Sequence, residues 1–186
     1  SHWDVPGPDG EFGFGGTCFP KDTTHFSSLL KRTNIFEYYP DAKSIIVVTQ
    51  NYYTGNDNSN QNTGKISSYA WGDDYHIVIK KKLYQLLDEI KQYDSTLDGI
   101  VCVDTSPLME KPWAQRAGIG WIGKHTNLIT KDIGSWFFIG TIIINKKLDY
   151  DNFFTEDLCG SCTACIDDCP TGAIIEPYQL DSNKCI

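Results

Sequence analysis

Four cysteines fall within eleven residues, Cys159-Gly160-Ser161-Cys162-Thr163-Ala164-Cys165-Ile166-Asp167-Asp168-Cys169, and Pro170 follows at once. The spacing C-x2-C-x2-C-x3-C-P is the bacterial ferredoxin arrangement for a 4Fe–4S cluster. It has a physical cause. Three thiolates two residues apart can curl round one cube, and the x3 step carries the fourth thiolate away. The small residues Gly160, Ser161, Thr163 and Ala164 let backbone N–H groups approach the cluster sulfides, which favours the reduced state. A structural zinc site splits its ligands into two pairs across a longer loop. Seven cysteines in all, an odd number, with five in the last 28 residues, argue against a secreted disulfide framework and for reduced thiols in a cytoplasmic protein.

Counting ligands adds an expectation. Cys159, Cys162 and Cys165 supply three to one cluster, while Cys169 and Cys185 supply two to another. Two cubanes take eight ligands, so three are missing. Cys18 is distant in sequence. Cys102 lies in a predicted buried strand, where a free thiol behaves as a small apolar group. A second cysteine motif is therefore expected beyond Ile186, and the chain is expected to be a fragment.

The net charge of −8, from 24 acidic and 16 basic residues, is the wrong sign for a protein held to nucleic acid by its overall charge. Any such contact must be local or made by parts not present. Lys80-Lys81-Lys82 and Lys146-Lys147 read as solvated faces. No apolar run approaches the roughly 20 residues that cross a bilayer. Forty per cent apolar residues suffice for a packed core.

Residues 1 to 24 are Gly- and Pro-rich and resist regular structure. A short helix is predicted over Thr24–Thr33. Ser44-Ile45-Ile46-Val47-Val48-Thr49 reads as a buried strand, and residues 54–63 as a polar loop. Asp73 and Asp74 offer N-caps for a helix reaching Gln92, with Ile79, Leu83, Leu86 or Leu87, and Ile90 on its buried stripe. Gly99–Val103 is a second buried strand, ending at Asp104. A short helix closes on the glycines of Arg116-Ala117-Gly118-Ile119-Gly120. Leu128–Thr130 and Trp136–Asn145 suggest two further strands, paired as a hairpin around Asp132-Ile133-Gly134. Strands mixed with helices indicate an α/β or α+β layered domain over residues 36–150, after an N-terminal segment of residues 1–35 and before a cysteine module over residues 151–186.

Six words along the chain resemble the epoxyqueuosine reductase family, the cobalamin-dependent iron–sulfur enzymes of tRNA queuosine synthesis. They are Asp41–Ile46, Tyr69–His76, Val103–Pro107, Arg116–Lys124, Gly134–Phe138 and Cys159–Ile175, in the same order as in the family. The resemblance implies an α+β cobalamin-binding domain, similar to nitroreductase-like and cobalamin-reductase-like folds, followed by an incomplete bacterial-type ferredoxin module. It implies an oxidoreductase in which two 4Fe–4S clusters pass electrons to cobalamin. The epoxide oxygen of epoxyqueuosine in tRNA is then removed to give queuosine. The partners it implies are a tRNA and an unidentified electron donor. The protein is expected to act as a cytoplasmic monomer without membrane contact.

Carried over by position, Asp104 matches the family's proton donor. Its place at a strand end suggests a desolvated carboxyl with a raised pKa, and a cap for the turn at Thr105-Ser106 is the alternative. Arg32 matches an arginine that contacts cobalamin, and Ser67 falls where the chain approaches the corrin. Leu128 and Ile139 match residues that lend backbone groups to the cofactor's nucleotide tail. Read from the residues alone, these four are a surface arginine, a loop serine and two core aliphatics. Tyr69, Trp71 and Tyr75 are core or cofactor wall. His76 is a helix residue with a hydrogen bond. Lys111 stands where many members have arginine, a position that contacts tRNA, and His125 stands where asparagine is usual. Two other readings are a corrinoid iron–sulfur reductase related to reductive dehalogenases and a ferredoxin-type electron-transfer protein. The 150 residues before the cysteines disfavour the latter.

Overall fold

The computed structural model describes residues 35–55 and 66–185. Cys18, the predicted helix over Thr24–Thr33, Arg32 and most of the polar loop at residues 54–63 lie outside the described residues.

The core is a three-stranded antiparallel sheet. Strand β5 (Phe137–Ile144) lies between β1 (Ser44–Asn51) and β2 (Gly99–Cys102). Ser44 pairs with Ile144 on one side, and Gly99 pairs with the same residue on the other. All three strands are rich in β-branched residues, as a sheet covered on both faces requires.

Alternation along β5 divides its side chains between two layers. Phe138, Ile142 and Ile144 face helix α2 (Tyr75–Tyr93), whose buried stripe is Ile79, Leu83 and Leu87. Asp74 caps this helix by accepting the His76 N–H at 2.9 Å, as the sequence suggests. Gly140 faces the same helix. A Cβ there would stand 2.8 Å from Leu83 and 2.9 Å from Ile79, so glycine sets how closely α2 seats. On the opposite face Phe137 and Ile139 meet Ala114 of α3 (Glu110–Arg116) and Leu128, while Ile143 and Cys102 meet Ile35 of α1 (Ile35–Tyr38) and Leu108. Cys102 is fully buried in this apolar layer, and burial pushes its thiol pKa up. Gly118, at φ 76°, turns the chain after α3.

One expected pairing is corrected. Leu128 and Ile129 form β4 (Leu128–Ile129), which pairs with β3 (Trp121–Ile122), while a single bridge, Thr130 to Gly134, stands where a hairpin with β5 was expected. Both edges of β5 are already occupied by β1 and β2, so β4 has no place beside it. The last elements are α4 (Ala164–Asp167), β6 (Ile174–Glu176) and β7 (Gln179–Leu180), the strands pairing with each other. Among the described residues no helix is long and apolar enough to cross a membrane.

Leu83→Ala removes the side chain that seats α2 over Gly140. It is expected to cost about 2–5 kcal/mol, read as a lower urea midpoint at unchanged slope. A change below about 0.5 kcal/mol would show that α2 is not part of the cooperative core.

Candidate active site

A cleft of about 310 Å³ opens where β5 begins and β2 ends. Phe137, Phe138 and Ile139 of β5 form its base, with Leu128 and Asn127 on one side and Tyr52, Tyr69 and Tyr75 on another. Asp104, Glu110 and Lys111 bring charge to it. The aromatic wall is continuous. Tyr52 packs on Phe138 with centroids 4.6 Å apart, Phe138 stacks on Tyr75 at 4.1 Å, and Tyr75 stacks on His76 at 4.0 Å. This column ends at Asp104.

The Asp104 Oδ2 accepts the Tyr75 hydroxyl at 2.9 Å and pairs with His76 Nε2 at 3.0 Å. The other ring nitrogen of His76 lies 2.8 Å from Asp74 Oδ1. One imidazole thus spans two carboxylates. Asp104, and then Asp74, raise the His76 pKa. In return His76 holds the Asp104 carboxyl below its ordinary value against burial, the next largest effect, with the Tyr75 hydroxyl adding a smaller pull in the same downward direction. The raised carboxyl expected at Asp104 is therefore corrected. The strand end leaves Asp104 exposed at the cleft mouth, where an imidazole and a hydroxyl reach it. The bonds of the Asp104 side chain run to Tyr75 and His76, while the turn has its own bond from the Thr105 hydroxyl to the Val103 carbonyl at 3.4 Å.

The group with the raised pKa is Glu110, six residues on. Burial is the largest cause and takes it to about 7, with the nearby Asp104 charge adding to the rise and the Asp104 N–H opposing it. Tyr75 is pushed up to about 12 by burial and by its bond to Asp104. Residue-type reasoning missed Glu110 and the bond from His76 to Asp104. The available signals were the acid opening α3 and the Asp-Asp-Tyr-His word opening α2, both beside a strand end.

Of the cofactor positions expected from sequence, Leu128 and Ile139 line the cleft beside Asp104. Ser67 is exposed and precedes a single 3-10 turn, Ser68–Ala70, whose Tyr69 lines the cleft. Trp71 directs its indole N–H to the Ile66 carbonyl at 2.9 Å. Lys111 is tied to the Asn127 side chain at 2.7 Å and the Thr126 carbonyl at 3.2 Å.

The cysteine segment is fastened to this body by the β3–β4 hairpin. The buried Lys124 donates to the Gly160 carbonyl at 2.6 Å and the Cys162 carbonyl at 2.8 Å. The Trp121 indole N–H points at Cys159 Sγ, 3.4 Å away. Cys159 and Cys162 share a turn through the Cys162 N–H, and Cys165 sits in the first turn of α4. Burial, and then the neighbouring Cys159 and Cys162, raise the Cys165 thiol pKa. Cys169 faces its own backbone. The Ile174 N–H, with those of Ala173 and Thr171, draws its thiol down to about 7. Cys185 is exposed, its N–H bonded to the Asp181 carbonyl at 3.2 Å. Among the described residues no three Cys, His, Asp or Glu side chains gather as ligands of a single metal ion would. A cubane, by contrast, takes its thiolates at separate corners.

Residues 32–105 match the family described as epoxyqueuosine reductase QueG, DUF1730. The epoxyqueuosine reductase of Synechocystis sp. is 50% identical over 84% of this chain and 54% of its own length. Over most of its length the chain is similar to epoxyqueuosine reductases. Its mixed α/β fold matches solved structures of the family. One, in complex with an epoxyqueuosine-modified tRNA-Tyr stem loop, is 35% identical with a TM-score of 0.75, over 81% of this chain and 41% of that one. Another, from Bacillus subtilis, has its catalytic aspartate loop swung out of the active site. It is 31% identical with a TM-score of 0.71, over 84% of this chain and 42% of that one. The chain spans about half the length of the relatives it matches.

Two measurements test this geometry. The pair of His76 and Asp104 stabilises the fold only while both are charged. Asp104, depressed, contributes fully above its unfolded pKa of about 3.9. His76, raised, contributes fully below its unfolded pKa of about 6.5 and loses its effect as pH rises through its folded value. The melting temperature lost in His76→Asn should thus be greatest between about pH 4 and 6.5 and shrink on either side. A pH-independent loss would rule out the ion pair. Lys124→Met strands two carbonyls of the cysteine turn and is expected to cost about 1–3 kcal/mol. Limited proteolysis should then cut first between residues 156 and 168. Equal cleavage of variant and wild type would show that Lys124 is not the fastening.

Proposed function

We propose that the whole protein reduces epoxyqueuosine to queuosine in tRNA, an oxidoreductase reaction of the cytoplasm, and that this chain carries the proton-donating and cluster-binding residues for it. The observation that carries the reading is the meeting of Asp104, His76 and Tyr75 at one end of an aromatic-walled cleft. The cysteine segment is pinned to the hairpin that forms another wall of that cleft.

The donor set suits iron–sulfur clusters. Cys159, Cys162 and Cys165 would hold one, and Cys169 and Cys185 would contribute to a second. The turn residues between them are small, and a backbone N–H bonds the Cys169 sulfur at 3.3 Å. Leu128 and Ile139 would offer backbone groups to a cobalamin, with Ser67 and Arg32 at its margins. When bound, cobalamin supplies low-valent cobalt chemistry at the epoxide and the clusters supply its electrons.

Loss of the epoxide oxygen as water takes two electrons and two protons. Asp104 Oδ2 is the atom placed to deliver a proton at the cleft mouth. Its carboxyl pKa is held down, so the proton it delivers would be supplied along the bond from His76 Nε2 to Oδ2, the imidazole having the raised pKa, and solvent would supply the second proton. Tyr75 orients the carboxylate by donating to the same oxygen. The aspartate-bearing loop of the Bacillus subtilis enzyme supports a catalytic carboxylate in this fold. The partners are a tRNA, as in the stem-loop complex of the relative, and an electron donor of unassigned identity. Lys111 is the cleft's cation for a phosphate.

The full-length protein, reconstituted anaerobically with iron, sulfide and cobalamin, tests this. Wild type should convert epoxyqueuosine-containing RNA. Asp104→Asn should lower kcat by about 100-fold or more, the usual scale of a lost general acid, with cluster content unchanged. Cys162→Ser should lose cluster iron. Clusters that form without any RNA conversion would overturn the reading in favour of simple electron transfer.

A further inference from the structure

Asp104 bends the chain through a conformation that few side chains tolerate. Its φ of 46° lies in the left-handed region, one of three such non-glycine positions among the described residues. A turn of this kind persists where its surroundings impose it. Here the imposing contact is a hydrogen bond from the Asp104 N–H to Glu110 Oε1 at 2.9 Å. Glu110 has a fixed footing. It opens α3, whose Ala114 is fully buried against Leu128 and Phe137. The Asp104 side chain reaches into solvent and is held only at its tip, by Tyr75 and His76.

We propose that Glu110 is a positioning residue, whose carboxylate latches the Asp104 turn and so keeps the Asp104 carboxyl facing the cleft. The consequence for turnover rests on the reading of Asp104 as proton donor. The latch itself is a property of the folded chain.

The latch has a pH dependence with a definite sign. The groups around Glu110 are Asp104, His76 and Lys111, with Tyr75 and Cys102 also feeling its charge. Burial favours the protonated carboxyl, and the Asp104 N–H favours the ionised one, so the hydrogen bond is stronger to the carboxylate. Lowering the pH through about 7 protonates Glu110 and loosens the turn.

Hydrogen exchange of the full-length protein reads this directly, without substrate. Glu110→Ala should speed exchange of the Asp104 amide by about tenfold or more relative to the amides of α2, as loss of a bond to a charged acceptor implies. Glu110→Gln keeps an acceptor oxygen without the charge. It should give a smaller rise and abolish the change in protection near pH 7, after correction for intrinsic exchange, and it serves in place of the alanine variant if that one fails to fold. An unchanged Asp104 amide in both variants would overturn the latch. In turnover with epoxyqueuosine RNA, Glu110→Ala should lower kcat about tenfold at unchanged KM for RNA. If Asp104→Asn is inactive while Glu110→Ala matches wild type in kcat, the positioning role is refuted and the proton-donor reading stands. If the amide responds but Asp104→Asn remains active, the latch stands and the proton-donor reading falls.

Discussion

Everything described for this molecule hangs on β5. The strand has hydrogen-bonded partners on both edges and a packed layer on both faces, so Ile142, Ile143 and Ile144 reach complete burial. Their burial fixes the register of β1 and β2, because a one-residue slip would exchange the two apolar faces. The other end of the same strand does different work. Phe137, Phe138 and Ile139 leave the core at the cleft and become its base. A continuous apolar strand thus carries the core's rigidity to the place where charged groups must be held still.

Those charged groups are sorted by environment. Asp104 and Glu110 are six residues apart and joined through one backbone N–H, yet their pKa values move in opposite directions. Asp104 stands at the open mouth with an imidazole and a phenol on it. Glu110 is half-buried against a helix start, where the charged form is poorly solvated. Two chemically similar acids gain distinct properties this way, a common route to acid and base assignments within one site.

Much of this layout was legible in the residues. The β-branched runs at Ile45–Val48 and Ile100–Val103, the helical stripe Ile79, Leu83 and Leu87, and the Asp74 cap all signal their elements through local periodicity. Leu128, Ile139 and Asp104, carried over from the family by position, line one cleft. The pairing of β4 did not follow. Leu128-Ile129 is a short apolar piece that would suit either neighbour, and only the prior occupation of both β5 edges decides it. The protonation pattern was illegible for a similar reason. Whether a strand-end carboxyl has its pKa raised or lowered depends here on a histidine 28 residues earlier in sequence, and the helix that brings His76 to Asp104 is positioned by Gly140 on a third element.

The β3–β4 hairpin ties two places that sequence keeps apart. Lys124 grips two carbonyls of the cysteine turn, and four residues later Leu128 stands in the cleft wall. With Trp121 and Lys124 both buried, so short a hairpin has little slack to absorb movement. One short hairpin thus anchors both the cysteine turn and a wall of the cleft, so the two places share a single backbone support.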